Sequence, residues 1–528
     1  MLASDEPSPH TNSPVNDMSD AISAPDFLRR RFLRSGVGIT AFSSLGVGTA
    51  LLSACGGGNG NDDATSPSAL DTAPVSAPTL TGRAILPADS FIAGPTSGQF
   101  ISGGDYTRAT DVFRYSLPLV GKQPMQGFSA MIPSRIAGVF YVMQDNGFGG
   151  RVVSPDALQH IYAVRFDWDA GKVMPVDFRT GAVLASFTPD SYIRLSDPNR
   201  RLGYAIVADM TNYPGLSVSP AGQTLPVDPL IKTGRLLTGY DMDPESLQLD
   251  ADGNFWIGEE LGPFLLKFDP QGRLLSREVA IPNLRRTGSN PLVQSPSNPY
   301  IQSNLSVANI ANSGGFESMA INTGKTKLYA MFEKELNGDD LQRRVIVVLD
   351  LTKPLGTPAF DSQTFSYRVG SAQRIGAGGK VDTEFNSVND MMAINDREFL
   401  VIEKDSGAGD VRTGKFAASG TARNAARFKR IFKIDLTQID SDGYLRKEEL
   451  VDLLNLKDPL KIGGDATIDG VFAFPMESVE TVTIVDAQTL LVVNDNNYPG
   501  GSSSRVVDKA DSAEFIRIRL PKALALPG

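Results

Sequence analysis

The feature that most limits how this chain can fold is a unit of four short strand signals that recurs along it. Its clearest copy runs from Gly239 to Leu275. Glu245 to Leu249 alternates polar and apolar residues. Asp250-Ala-Asp-Gly253 is a turn, because Gly tolerates positive φ and Asp bonds its own backbone. Asn254 to Gly258 is aromatic and β-branched, and Gly262-Pro263 breaks the chain. Phe264 to Phe268 is a third strand, and Asp269-Pro-Gln-Gly272 turns into a fourth. Four antiparallel strands in so short a stretch make one propeller blade, provided similar units recur.

They recur. Aligning the first polar residue of the first strand with the polar residue that ends the second pairs Glu245 with Glu259, Glu317 with Glu333, Asn389 with Glu403 and Glu480 with Asn494. Ser129 and Asp145 fit more loosely. Each unit then closes on an apolar strand, such as Val345 to Leu349 or Phe515 to Leu520. The start of one hairpin strand faces the end of the other about 5 Å away, so the paired residues should gather in a mostly acidic ring at one mouth of a central channel. Five units are visible. The gap between Ser129 and Glu245 has room for one more, so the expected fold is an all-β propeller of six four-stranded blades with long inter-blade loops. A strand starting near Leu80 should pair with the last blade and close the ring, removing the exposed sheet edge.

Outside the repeat the chain divides simply. Residues 1–55 read as an export leader. Arg29-Arg30-Arg31-Phe32-Leu33 resembles a twin-arginine signal, and a mild apolar run, Gly36 to Leu52, leads to Leu52-Ser-Ala-Cys55, which resembles a lipobox. That run is too short and too mild to span a membrane. Cys55, the only cysteine, is then the lipidation site, and the folded body has neither disulfide nor thiol nucleophile. Residues 56–79, rich in Gly, Asn, Ser and Pro, are a tether, and 80–528 form the propeller. These readings place the protein in a bacterial cell envelope, held to the membrane by lipid, as a monomer.

Two helices are expected, a small one at Gly203 to Tyr213 and a good amphipathic one at Lys447 to Leu456. Gln438 to Glu449 resembles an EF-hand loop, with Asp440, Asp442, Gly443 and Glu449 at matching spacings; a polar turn is the alternative.

A net charge of −10 argues against a nucleic-acid partner. His160 is the only histidine after the leader, no nucleophile elbow is present, and neither phosphate-loop nor dinucleotide motifs occur. Carboxylates remain. Asp145, Glu245, Glu317, Glu333, Glu480 and Asp495 are the candidate ligands of a hard divalent ion, Ca²⁺ first and Mg²⁺ second. Glu259 and Glu403 are the candidate general bases. Lys334, Lys404, Asn389 and Asn494 are the candidate substrate contacts. The alternative for any of these acids is to cap strand ends and bind loop amides.

Residues from about 80 to 525 resemble the phytase-like propeller family, known by the description esterase-like activity of phytase. The resemblance rests on Gly127-Phe-Ser-Ala-Met131, Pro244-Glu-Ser246 through Gly258-Glu-Glu260, Gly315-Phe-Glu-Ser-Met319, and Glu477-Ser-Val-Glu480 through Asn494-Asp-Asn-Asn497. It implies a propeller that hydrolyses small phosphate esters or other esters. A gluconolactonase-type lactonase using Glu245, Asn389 and Asp495 is the second expectation, and a non-catalytic propeller that binds a ligand or an envelope partner is the third.

Overall fold

Every hairpin of the repeat forms, and each begins a four-stranded antiparallel sheet. The computed structural model describes residues 74–101, 105–107, 114–214, 224–375, 381–414, 425–498, 504–506 and 510–527. The expected leader, Cys55 and most of the expected tether lie outside them.

Blade I comprises Phe128–Pro133, Phe140–Gln144, His160–Asp167 and Lys172–Pro175. Blade II comprises Pro244–Leu249, Phe255–Glu259, Phe264–Phe268 and Val279–Ala280. Blade III comprises Phe316–Ile321, Lys327–Phe332, Arg343–Asp350 and Phe365–Arg368. Blade IV comprises Ser387–Ala393, Glu398–Lys404, Lys429–Ile439 and Leu445–Asp452. Blade V comprises Ser478–Asp486, Thr489–Asp495 and Ala513–Arg519, and its fourth strand is the N-terminal Thr79–Leu86, antiparallel to Ala513–Arg519. The ring therefore closes with strands from both ends of the described chain, as expected from Leu80.

The blade number is five among the described residues, not six. The first strands of blades I to V neighbour one another in order, and that of blade V returns to that of blade I. Each of the five gaps holds its own apolar core. Blades II and III, for example, enclose Trp256, Leu265, Phe316, Leu328 and Ala330, whereas Tyr329 and Met331 of the same strand point into the next gap. This is the period-two alternation of a sheet buried on both faces. The stretch expected to supply a sixth blade contributes Tyr192–Arg194, which pairs with His160–Tyr162, and a short helix, Pro229–Gly234. Its apolar residues Val176, Phe178, Leu195, Ile231 and Leu237 pack against Ile132, Leu247 and Ile257. They fill the gap between blades I and II rather than build another sheet.

Polar side chains fix the inner strands to one another. Gln248 Nε2 donates to the Met319 carbonyl at 2.8 Å, Thr483 Oγ1 donates to the Met131 carbonyl at 2.6 Å, and Asp390 Oδ2 accepts the Val482 amide at 2.8 Å.

Both expected helices are corrected. Gly203 to Tyr213 holds a single 3₁₀ turn, Val207–Asp209. Lys447 to Leu456 is largely strand: Leu445–Asp452 is the outer strand of blade IV, pairing Ile434 with Lys447 and Phe432 with Glu449. The demand of a three-stranded sheet for its fourth strand outweighs the weak local helical pattern.

The EF-hand resemblance also dissolves. Asp440 Oδ1 accepts the amides of Asp442 and Tyr444, while Asp442 and Glu449 pair with Arg368 and Arg430. Asp250 and Asp269 make the same turn, with Gly253, Gly272 and Gly443 all at positive φ. These turns occupy one end of the propeller. The long connections 145–159, 281–315, 369–386 and 405–428 leave from the other end, where the acidic residues lie.

Candidate metal centre at the channel mouth

Five bulges build the site. In each blade the pairing of the first two strands skips one residue of the first strand: Ser129, Glu245, Glu317, Asn389 and Glu480. A bulge leaves its extra residue unpaired and re-aims its side chain. Here the device repeats at one level in all five blades, next to the channel.

The bulge also changes which residue of the second strand belongs with it. Beyond the bulge, the Glu260 amide donates to the Asp243 carbonyl at 3.0 Å, Glu333 to Gly315 at 2.8 Å and Asp145 to Gly127 at 2.8 Å. Lys404 opposes Ser387 and Asp495 opposes Ser478. The second ring is therefore Asp145, Glu260, Glu333, Lys404 and Asp495.

The sequence alignment, which counted without a bulge, reached Glu259, Glu403 and Asn494 in three blades. Each is one residue early and points to the other face of its sheet. There they bind the chain locally. Glu259 accepts the amides of Leu261 and Gly262, both at 2.8 Å. Glu403 is fully enclosed and accepts from Tyr367 Oη, the Gly370 amide, Asn386 Nδ2 and Lys447 Nζ at 2.6–2.8 Å. Asn494 donates to the Ser512 carbonyl and accepts the Glu514 amide. Glu259 and Glu403, expected as general bases, and Asn494, expected as a substrate contact, thus serve groups of the chain itself on the face away from the channel acids.

The acids on the channel side converge. One carboxylate oxygen from each of Asp243, Glu245 and Glu260 lies within 4.8 Å of the other two, and the same holds for Glu260, Glu317 and Glu333. Two ligands of one Ca²⁺, each about 2.4 Å from the ion, can be up to about 4.8 Å apart. Glu260 belongs to both groups. Its Oε1 and Glu317 Oε2 are buried with no hydrogen-bond partner among the described residues. Asp243 is held in place by Asn146, through its amide at 3.1 Å and its Nδ2 at 2.7 Å. The donor set is oxygen only, which suits a hard divalent cation.

The electrostatics describe a cluster short of positive charge. Burial, then Glu317, Asp243 and Glu260, push the Glu245 carboxyl well above its usual range. Glu317 is raised by burial and then by Glu480, Glu260 and Glu333. Asp145 is raised by burial and then by Asp495 and Asp243. Asp495 is pushed up to about 7 by burial and Glu480. Glu333 is the exception: burial opposes it, but Lys334 Nζ, 2.7 Å from Oε1, holds its carboxyl below the usual value. Lys334 thus belongs to Glu333 and Ser387. Asn389 donates to Glu480 at 2.6 Å.

Asp243 and Glu260 escaped the sequence reading although both stand beside residues it singled out. The missing signal was the bulge: shifting the second strand by one residue in blade II aligns Glu260 with Asp145 and Asp495.

The family model Phytase-like, described as esterase-like activity of phytase, matches residues 123–498. An uncharacterized secreted protein of Arthroderma benhamiae is 29% identical over 164 residues, which are 28% of this chain and 30% of that protein. Among solved structures, a luciferin-regenerating enzyme aligns over 79% of this chain and 87% of its own at 11% identity and a TM-score of 0.29. The periplasmic gluconolactonase PpgL of Pseudomonas aeruginosa aligns over 83% and 99% at 11% identity and a TM-score of 0.24.

Proposed function

This chain belongs to the phytase-like family, and from that premise we propose that it is an exported, metal-dependent hydrolase of small esters. The observation that carries the reading is the pair of carboxylate triads sharing Glu260, with buried oxygens that have no partner among the described residues. Eight acids around one channel repel each other and either hold protons or hold a cation. Asp243, Glu245 and Glu260 would form one half of a calcium centre, and Glu260, Glu317 and Glu333 the other. A cation bound there would polarise an ester oxygen and lower the pKa of a bound water.

The chain's own residues do the rest. Asn146 orients Asp243, and Lys334 orients Glu333. Asp495, outside both triads, has one oxygen on the Asn497 amide at 2.7 Å and titrates at about 7, so it is the carboxyl suited to accept and return a proton near neutral pH. Export is supported by the name of the secreted relative and by the twin-arginine-like leader. No helix among the described residues is long and apolar enough to cross a membrane, and attachment through lipidated Cys55 remains part of the proposal.

The test is elemental analysis and calcium titration of the purified protein, followed by p-nitrophenyl phosphate and a panel of lactones with and without chelator. Calcium bound in near-stoichiometric amount and hydrolysis lost on chelation are expected. A protein that takes up no divalent ion ends this reading.

A further inference from the structure

One position in the second ring breaks its pattern. Blades I, II, III and V place Asp145, Glu260, Glu333 and Asp495 there, and blade IV places Lys404. Lys404 is 9% exposed, and its charge is felt by Glu480, Glu333 and Glu317 of two other blades. It nevertheless forms no hydrogen bond and no ion pair with any described residue. The neighbouring groups are taken up elsewhere: Glu333 by Lys334, and Glu480 by Asn389. The other buried lysine of this blade, Lys429, shows the contrast, with Asp405 Oδ1 at 3.0 Å and two backbone carbonyls as partners.

An ammonium has three N–H donors that need acceptors. No described residue meets those of Lys404, and its Nζ keeps contact with solvent, so water or a ligand meets them. The carboxylates whose charge acts on Lys404 make no ion pair with it, so among the described residues its ammonium and the unpartnered oxygens of Glu260 and Glu317 are left for an outside ligand. We infer that Lys404 forms an oxyanion-binding subsite, in which the ammonium donates to one oxygen of a phosphate or carboxylate group whose other oxygens face the Glu260–Glu317 side of the centre. This deepens the hydrolase reading and rests on it for the cation opposite. It gives the channel two poles, a cation-binding arc on blades II and III and a fixed cation on blade IV. It also favours an anionic ester over a neutral lactone.

The register supplies a second handle. Lys404→Glu would complete an all-acidic ring, turning the anion subsite into additional cation-binding capacity, whereas Lys404→Met would only remove the ammonium. The experiment titrates the calcium-loaded protein with inorganic phosphate and, separately, with acetate, and counts bound calcium in each variant. Lys404→Met should keep the calcium count and bind the preferred anion roughly tenfold to a hundredfold more weakly, with Lys404→Arg recovering part of the loss. Lys404→Glu should lose the anion and bind more calcium than the parent. The two anions tell a phosphate site from a carboxylate site. Unchanged anion affinity in Lys404→Met, with calcium still bound, overturns the subsite and leaves the hydrolase reading standing. No calcium uptake by the parent ends the hydrolase reading instead; the subsite then survives only if anion binding to the metal-free protein still depends on Lys404, and falls otherwise. A circular-dichroism melt of each variant separates these outcomes from misfolding.

Discussion

Adjacent glutamates carry opposite duties here, and substitution should separate them. Glu260 faces the channel with an unpartnered oxygen, whereas Glu259 faces the turn that follows it and accepts two amides. Glu260→Gln should weaken calcium binding at least about tenfold while leaving the melting temperature of the metal-free protein equal or higher, because it removes a repelled buried charge. Glu259→Gln should leave calcium binding unchanged and cost about 1–3 kcal/mol of stability, since one of its amide donors loses its acceptor. Calcium titration paired with thermal melts distinguishes the two. Lys447 offers a further check: its ion pair with fully enclosed Glu403 predicts that Lys447→Met destabilises by about 3–5 kcal/mol without altering metal binding.

At the level of elements, the bulge is what turns a hairpin into part of a site. Deleting Glu317 would let Phe316 and Ser318 join a regular ladder, with Phe316 still opposite Phe332 and Gly315 still opposite Glu333. It removes one ligand together with the local kink and twist that the bulge gives the strand. The deletion should cost more calcium affinity than Glu317→Ala, which keeps the bulge. Equal affinities would show that the bulge has no role beyond presenting its own side chain. The closing strand makes a different prediction. Thr79–Leu86 covers the outer edge of blade V and buries Leu80, Ala84 and Leu86. A chain starting at residue 76 should melt like the full chain, whereas one starting at residue 88 should lose cooperativity and aggregate through the exposed edge. Light scattering during a thermal ramp reads this out.

For the whole molecule, the excess of buried acid gives stability a pH dependence of definite sign. Burial and mutual repulsion raise Asp145, Glu245, Glu260 and Glu317 well above their usual values and lift Asp495 to about 7, above the usual carboxyl range of the unfolded chain. Between about pH 4 and 8 the folded state therefore holds more protons than the unfolded state, and stability falls as pH rises through that window. Metal-free protein should melt at a lower temperature at pH 8 than at pH 5.5. Calcium should reverse most of that loss at pH 8 and do little at pH 5.5, where protons already occupy the cluster. A melting temperature flat across this range would mean that the mouth acids keep ordinary pKa values and are not confined together.

The sequence alone determined the blades and the closing strand. Those rest on period-two burial and on Asp-x-x-Gly turns, which are local and leave their mark residue by residue. The same local pattern placed Glu245, Glu317 and Glu480 at one mouth. It could not place Glu260 or the local partners of Glu259 and Glu403, because a bulge is a choice between two ladders that differ by one residue, and only the packing of neighbouring blades selects it. Nor could it count the blades. Whether residues 176–240 form a sheet or fill a gap depends on the space left between blades I and II, a property of the closed ring.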